Sequence, residues 1–241
     1  PIDYAKSACG TIMKKYDAPD LLTMNTFFYI GGVFLSGMQR LYFQTGGKEY
    51  FDYIVEQIHS TVVATVDEDG LPVTCVIDMM YADDNGLYFL TAKGKNFYRR
   101  LKDKGYLALS GKKGEDTMNC TAVSVRGKVR EIGQDMLPLL FEKNPYMLKI
   151  YPTEESRKAL TVFQIYEGSG EWFDLSKKPI ERDSFTFGGA EIRANGYFVT
   201  DDCIRCGSCL SDCPQSCIEL KEKAVIRQEN CLHCGNCAEV C

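Results

Sequence analysis

Two cysteine runs written to the same rule, Cys203-Cys206-Cys209-Cys213 and Cys231-Cys234-Cys237-Cys241, constrain this chain more than any other feature. Each reads CxxCxxCxxxC, and every cysteine of the first recurs 28 positions later. Two intervening residues let successive thiolates curl around one centre within a tight loop. Gly207-Ser208 and Gly235-Asn236 place small or turn-tolerant residues inside those loops. Zinc ribbons and disulfide frameworks also use CxxC pairs. A third cysteine at the same interval, present in both copies, instead matches the thiolate run of cubane iron-sulfur centres. The repeat therefore predicts two [4Fe-4S] clusters and a chain that moves electrons.

With Pro214 directly after the fourth cysteine, the run resembles that of bacterial-type 2[4Fe-4S] ferredoxins. The fourth cysteine lies far along its chain to wrap back, and in such a fold it serves the other cluster. One cluster is then expected on Cys203, Cys206, Cys209 and Cys241, and the other on Cys231, Cys234, Cys237 and Cys213. Cys217 has no counterpart 28 residues on, and it reads as a small thiol packed near a cluster rather than a ligand.

A ferredoxin module of about 50 residues leaves most of the 241 residues to a second, larger domain. Hydrophobic content of 45% and charged content of 25% describe an ordinary globular chain. No apolar run approaches the roughly 20 residues of a membrane helix, and no basic stretch followed by an apolar core opens the sequence. A cytoplasmic protein with no membrane partner is expected. The net charge of -5 speaks against nucleic acid, which needs a basic face. Twelve cysteines in such a compartment read as metal ligands and free thiols. With only His59 and His233 present, a site built on several histidines is excluded.

Patterning divides the rest. Apolar residues recur at helical spacing over 3–16 and 27–43, and Gly46-Gly47 stops the second stretch. A short helix is expected over Glu49 to Ile58. The period then changes to that of strands: Thr61–Val66, Val73–Tyr81 and Leu87–Thr91, joined by the turns Asp67-Glu68-Asp69-Gly70 and Asp83-Asp84-Asn85-Gly86. A helix near Lys95–Lys102 follows, then strands near 106–110, 121–131, 160–166 and 170–174, with short helices between about 136 and 158. Gly188-Gly189 and Asn195-Gly196 mark a linker, and 218–220 pairs with 224–226 as a small hairpin.

The residues Ala64-Thr65-Val66-Asp67-Glu68-Asp69-Gly70-Leu71-Pro72 and Gly86-Leu87-Tyr88-Phe89-Leu90-Thr91-Ala92-Lys93-Gly94-Lys95 resemble the pyridoxamine 5'-phosphate oxidase-like FMN-binding split barrel. That resemblance implies an FMN across a homodimer interface, its phosphate held after the third strand. The matching positions are Thr91, Lys93, Lys95 and the backbone amide of Asn96 at a helix start. Lys93 and Lys95 read equally as solvated surface. Val76, Ile77, Asp78 and Met79 match positions whose backbone lies along the isoalloxazine ring. Cys75 stands where many members carry an arginine for the phosphate, which weakens the expected flavin contact. Asp78 either touches the flavin or a substrate, or caps the strand edge. Residues 1–50, through Gly32-Val33-Phe34-Leu35-Ser36-Gly37-Met38-Gln39-Arg40-Leu41-Tyr42, resemble an N-terminal fragment of unsaturated glucuronyl and rhamnogalacturonyl hydrolases, far short of a working barrel of that kind.

The expected fold class is a multidomain α+β chain. It comprises an N-terminal helical segment (1–47), an antiparallel flavin-binding split β-barrel (48–187), and a linker with a ferredoxin-type 2[4Fe-4S] domain (188–241). The expected function is a flavin-dependent oxidoreductase passing electrons between two clusters and FMN. The alternative is an electron carrier with no substrate of its own, whose barrel is a dimerisation scaffold. A redox partner protein or a nicotinamide donor would supply electrons, although no GxGxxG fingerprint opens a helix after a strand.

Overall fold

The computed structural model describes residues 48–191 and 196–241. The helical segment expected over 1–47, with its hydrolase-like stretch, and residues 192–195 of the expected linker lie outside the described residues. Lys48–Cys241 forms one compact unit. It opens with α1 (Lys48–Tyr53), which runs into a π-helical turn, Ile54–Ile58.

Strands follow in the order β1 (Ser60–Val66), β2 (Pro72–Asp78), β3 (Tyr81–Asp83), β4 (Gly86–Ala92), β5 (Tyr106–Gly114), β6 (Cys120–Gly133), β7 (Leu160–Asp174) and β8 (Glu181–Phe187). They build one eight-stranded sheet with the path β2-β1-β5-β6-β7-β4-β3, and β8 added to β7. All of the pairings are antiparallel. The path begins and ends on strands that are consecutive in sequence, β2 and β3, which do not pair with each other. Among the described residues the barrel is thus split along one seam, where the second edge of β2 has no strand partner.

Local chemistry explains the hairpins. β1 is rich in β-branched residues, and its burial alternates as a half-buried strand requires. At the turn, Asp67 Oδ1 accepts N–H groups of Asp69 (3.1 Å) and Leu71 (2.8 Å). Gly86 closes the next hairpin at φ +139°, where a Cβ would run into the Ile165 carbonyl.

Three expectations need correction. The single strand over Val73–Tyr81 breaks at Met79-Met80, which are buried. Met79 N–H bonds His59 O (2.8 Å) and Met80 N–H bonds Tyr88 O (2.9 Å), so the two residues carry the chain from one side of the seam to the other. The two strands expected at 160–166 and 170–174 are one 15-residue strand, β7. Glycines 168 and 170 looked like a break, but they permit close packing: a Cβ on Gly170 would enter the Phe185 ring. β8 was not foreseen, because its ERDSFTF sequence lacks an apolar alternation until Phe185.

The core lies inside the barrel around Phe51, Ile54, Phe89, Phe163, Leu101, Leu107 and Ile165, each at most 1% exposed. Phe89 and Phe163 stack with centroids 5.8 Å apart. A second cluster seats α3 (Leu137–Lys143) and α4 (Met147–Ile150) through Leu140, Phe141 and Met147 on Met80, Tyr88, Leu160 and Val162. The short α5 (Glu154–Arg157) starts with a Thr153/Ser156 capping box. α2 (Asn96–Lys104) buries Phe97 and Leu101 and ends at Gly105, left-handed at φ +62°.

The cysteine-bearing part adds α6 (Ser208–Ser211), β9 (Ile218–Leu220), β10 (Ala224–Ile226) and α7 (Asn236–Glu239). β9 and β10 pair as the expected hairpin.

Candidate cofactor sites

The 28-residue repeat returns as a repeat of backbone conformation. Arg205 and His233 occupy matching places between the first two cysteines of each run, at φ +62° and +53°. Gly207 and Gly235, at φ +82° and +89°, then open α6 and α7. These bends aim amide groups at sulfur. His233 N–H points to Cys231 Sγ at 3.4 Å, and Arg205 N–H likewise bonds Cys203. The backbone thus offers positive dipoles to thiolates, as cluster ligands need.

The thiols divide into two groups. Burial pushes the Cys209 thiol up, and the nearby charges of Cys206, Cys203 and Cys241 add to the effect. Burial likewise raises Cys237, beside Cys231 and Cys234. Cys213 lines the same small cavity as Cys231, Cys234 and Cys237. Cys241 therefore stands with the first run and Cys213 with the second. Among the described residues, no three His, Cys, Asp or Glu side chains converge on a single-ion site. A cubane takes one thiolate at each iron and holds its ligands apart. Four thiols per group, with N–H donors aimed at their sulfurs, fit that requirement.

Burial and hydrogen bonding act together at Cys217 and against each other at Cys213. Cys217 is 1% exposed with its Sγ 3.5 Å from Cys213 Sγ. Burial first, then Cys213, pushes its thiol up to about 12, so it stays protonated. At Cys213, desolvation is opposed by the Cys217 and Gln215 amides, which hold the thiol below its ordinary value.

The second group faces the barrel. Asn230 Nδ2 donates to Ile180 O (3.1 Å) and Ile180 N–H to Gln215 Oε1 (3.1 Å), tying both cysteine runs to the segment entering β8. His233 is held below its usual range by burial and by Arg182 on β8, against Glu171 on β7. Cys206 and Cys241, on the first group, are exposed.

In the barrel, Cys75 points to the inner side of β2, half-buried, opposite Val63. Burial raises its thiol, while the charges of Arg100 and Lys95 pull it down. Arg100 Nε donates to Thr65 Oγ1 at 2.8 Å. Lys95 caps α2 at its N-terminus with no side-chain cap bond, and Asn96 begins the helix. The helix packs on β1, and its leading amides follow Lys95 directly. This set fits an anionic group of phosphate type, for which a helix start and a guanidinium are the usual donors.

The other expected positions scatter. Lys93 and Asn96 are exposed like Lys95. Thr91 is 3% exposed, so its hydroxyl is turned into the barrel rather than toward the lysines. Val76 faces outward at 66% exposure and Ile77 inward, while Met79 is fully buried. Asp78 accepts hydrogen bonds from Ser60 and Tyr146. Sequence reasoning missed Arg100 and Thr65. Arg100 lies one turn after Asn96, on the same helix face, and that spacing was the signal. A cleft of about 700 Å³ on the β5–β8 face, lined by Arg126, Lys128, Glu171 and Phe185 among others, includes none of the expected flavin positions.

Residues 48–166 match the model of the pyridoxamine 5'-phosphate oxidase family, and residues 202–241 that of the 4Fe-4S dicluster domain. Among solved structures, the chain is similar to a NimC/NimA family protein from Clostridium acetobutylicum, with 16% identity over 62% of this chain and 99% of that one and a TM-score of 0.49. A protein of the same organism related to general stress protein 26 gives 15% identity, 58% and 94% coverage and a TM-score of 0.46. A heme binding protein from Mycobacterium smegmatis gives 13% identity, 58% and 58% coverage and 0.46. An iron-sulfur domain fused to this barrel gives the chain an electron-transfer or redox role. The chain thus joins a pyridoxamine 5'-phosphate oxidase-like split barrel to a 4Fe-4S dicluster domain.

Proposed function

We propose that this chain is an iron-sulfur flavoprotein oxidoreductase in which two [4Fe-4S] clusters exchange electrons with an FMN in the barrel. The observation that carries this reading is the hydrogen bond that holds Arg100, on the helix that Lys95 caps, to Thr65 on β1, the strand paired with the Cys75 strand β2. A cysteine at that place withholds the expected arginine from the strand. Arg100 supplies a guanidinium from α2 instead, already oriented by Thr65. With the α2 amides and Lys95, it would hold the flavin phosphate. The unpaired N–H and C=O groups of β2 would hold the polar edge of the ring.

FMN, when bound, exchanges one-electron for two-electron chemistry. The chain's own residues set the order of transfer. Cys206 and Cys241 of the first group and Cys234 of the second are exposed while Cys231 is buried, so the first cluster is the more open port for a donor. Asn230 and Gln215 hold the second cluster against the barrel at Ile180. The donor would be a redox partner protein or a nicotinamide. Seven acidic against four basic residues over 197–241 favour a basic partner surface.

A homodimer is part of the proposal. The outer sheet face exposes Val62 and Val76, which are register partners, and Tyr106 on β5, at 47%, 66% and 45%. Such an apolar face is the kind that a second copy covers. Flavin released from denatured protein, counted with iron and sulfide, tests the reading. About one FMN with about eight iron and eight sulfide per chain is expected. Clusters without flavin would leave a carrier whose barrel is only a scaffold.

A further inference from the structure

Apart from the cofactor sites, polar side chains from separate segments meet at one end of the barrel. Tyr146, leading into α4, donates its hydroxyl proton to Asp78 Oδ2 at 2.7 Å. Ser60 Oγ donates to Asp78 Oδ1 at 2.6 Å. His59 Nε2 lies 3.0 Å from Tyr146 Oη and 3.5 Å from Asp78 Oδ2. The tyrosine has one hydroxyl proton, and the carboxylate takes it. His59 Nε2 must then carry the proton of its bond to Tyr146, which leaves Nδ1 of the neutral ring as the acceptor. Burial pushes the Asp78 carboxyl up, but Ser60, Tyr146 and His59 more than offset it and hold it below the ordinary carboxylate range.

His59 sits at φ +61° and ψ -68°, a backbone conformation that glycine would hold at less cost. Its N–H bonds Ile54 O at 2.6 Å, and its carbonyl accepts from Met79 N–H at 2.8 Å. The other described non-glycine residues with positive φ, Arg205, Ser216 and His233, all lie within the cysteine module. What histidine adds over glycine at this strained point is the imidazole, and strain of this kind gathers at working sites.

The position matters as well. Asp78 ends the edge strand β2, three residues beyond Cys75, or about 10 Å at ~3.3 Å per residue. A flavin with its phosphate at Lys95 and Arg100 and its ring along the free edge of β2 would extend toward this group.

We propose that His59 is the proton-carrying residue of the barrel's redox site, held by Tyr146 and Asp78, and that the substrate is a compound reduced by hydride plus a proton. The proposal rests on the flavin reading given above. Two electrons arriving from the clusters bring one proton onto the flavin and one onto His59 Nδ1, both from solvent, which reaches the partly exposed ring. The substrate then gains two electrons and one proton as hydride from the flavin, and the second proton from Nδ1. Oxidised flavin and neutral His59 remain. Tyr146 and Asp78 are positioning residues that fix the tautomer and balance the imidazolium charge. The titratable and charged groups on the elements that meet here are Glu56 in the π-helical turn, Asp78 on β2, and Tyr146 and Lys149 at α4. Of these, Asp78 and Tyr146 contact the ring.

The test is the midpoint potential of the bound flavin as a function of pH, measured anaerobically on the full chain. The wild-type line should show a break in slope that belongs to His59. His59→Gln keeps a hydrogen-bond partner for Tyr146 but cannot titrate, and it should lose that break while retaining flavin. Tyr146→Phe should move the break to another pH. If His59→Gln fails to fold, His59→Gly, which relieves the backbone, carries the same comparison. A wild-type profile in the His59 variant, or no break in the wild type, overturns the proposal while leaving the flavin reading intact. Wild-type protein free of flavin overturns that reading and this proposal with it.

Discussion

Arg100 is the residue on which the flavin reading turns. It was passed over in the sequence because the phosphate contact was sought on β2, where Cys75 stands, and on the lysines after β4. Only folding brings α2 across β1, so that Arg100 reaches Thr65. Arg100→Ala should weaken FMN by about 1.5–3 kcal/mol, the worth of a charge-assisted hydrogen bond, or roughly 10- to 150-fold in Kd by flavin titration. The 4Fe-4S character of the cysteine runs, by contrast, was legible, since it is carried by spacing. Cys241→Ser should cost the cluster of Cys203, Cys206 and Cys209, seen as about half the iron lost; loss of the Cys231 group's signal instead would reverse the ligand sets. Asp78 gives a pH-dependent effect with a definite sign. Its folded pKa lies below its unfolded one, so its contribution to stability is present above about pH 4 and is lost as pH falls through the folded value. Asp78→Asn should therefore flatten the acid limb of a stability-versus-pH curve.

Strands with regular alternation could be read from the sequence; strands defined by their neighbours could not. β1 and β4 carry β-branched or apolar runs bounded by Asp- and Gly-rich turns, and both lie where they were expected. β7 was split because Gly168 and Gly170 look like punctuation, although in three dimensions they make room for the Arg126 carbonyl and the Phe185 ring. β8 belongs to the sheet only because β7 is long enough to pair with it from Gly168 to Asp174. The barrel core depends on β4 and β7 meeting through Phe89 and Phe163, partners in register and stacked. Phe163→Ala should cost about 3–5 kcal/mol, measured by denaturant unfolding, because the buried ring leaves a cavity that the sheet cannot close.

At the scale of the whole molecule, the two redox parts are packed together rather than merely tethered. Ile180 bonds both to Asn230, beside the second run, and to Gln215, just after the first. The glycine-marked stretch 188–196 reads in sequence as a flexible joint. What the sequence does not reveal is that the chain just before β8 grips the cysteine module at Ile180, because an amide-to-carbonyl contact between distant segments leaves no pattern. In the proposed function that docking would give electron transfer a direction, from the group of the exposed Cys206 and Cys241 toward that of the buried Cys231. The most direct measurement is an anaerobic reductive titration, followed by visible absorbance and electron paramagnetic resonance on one sample. The account predicts uptake of about four electrons per chain, one by each cluster and two by the flavin, with bleaching of the flavin band. Uptake of about two electrons with no flavin band to bleach would contradict it.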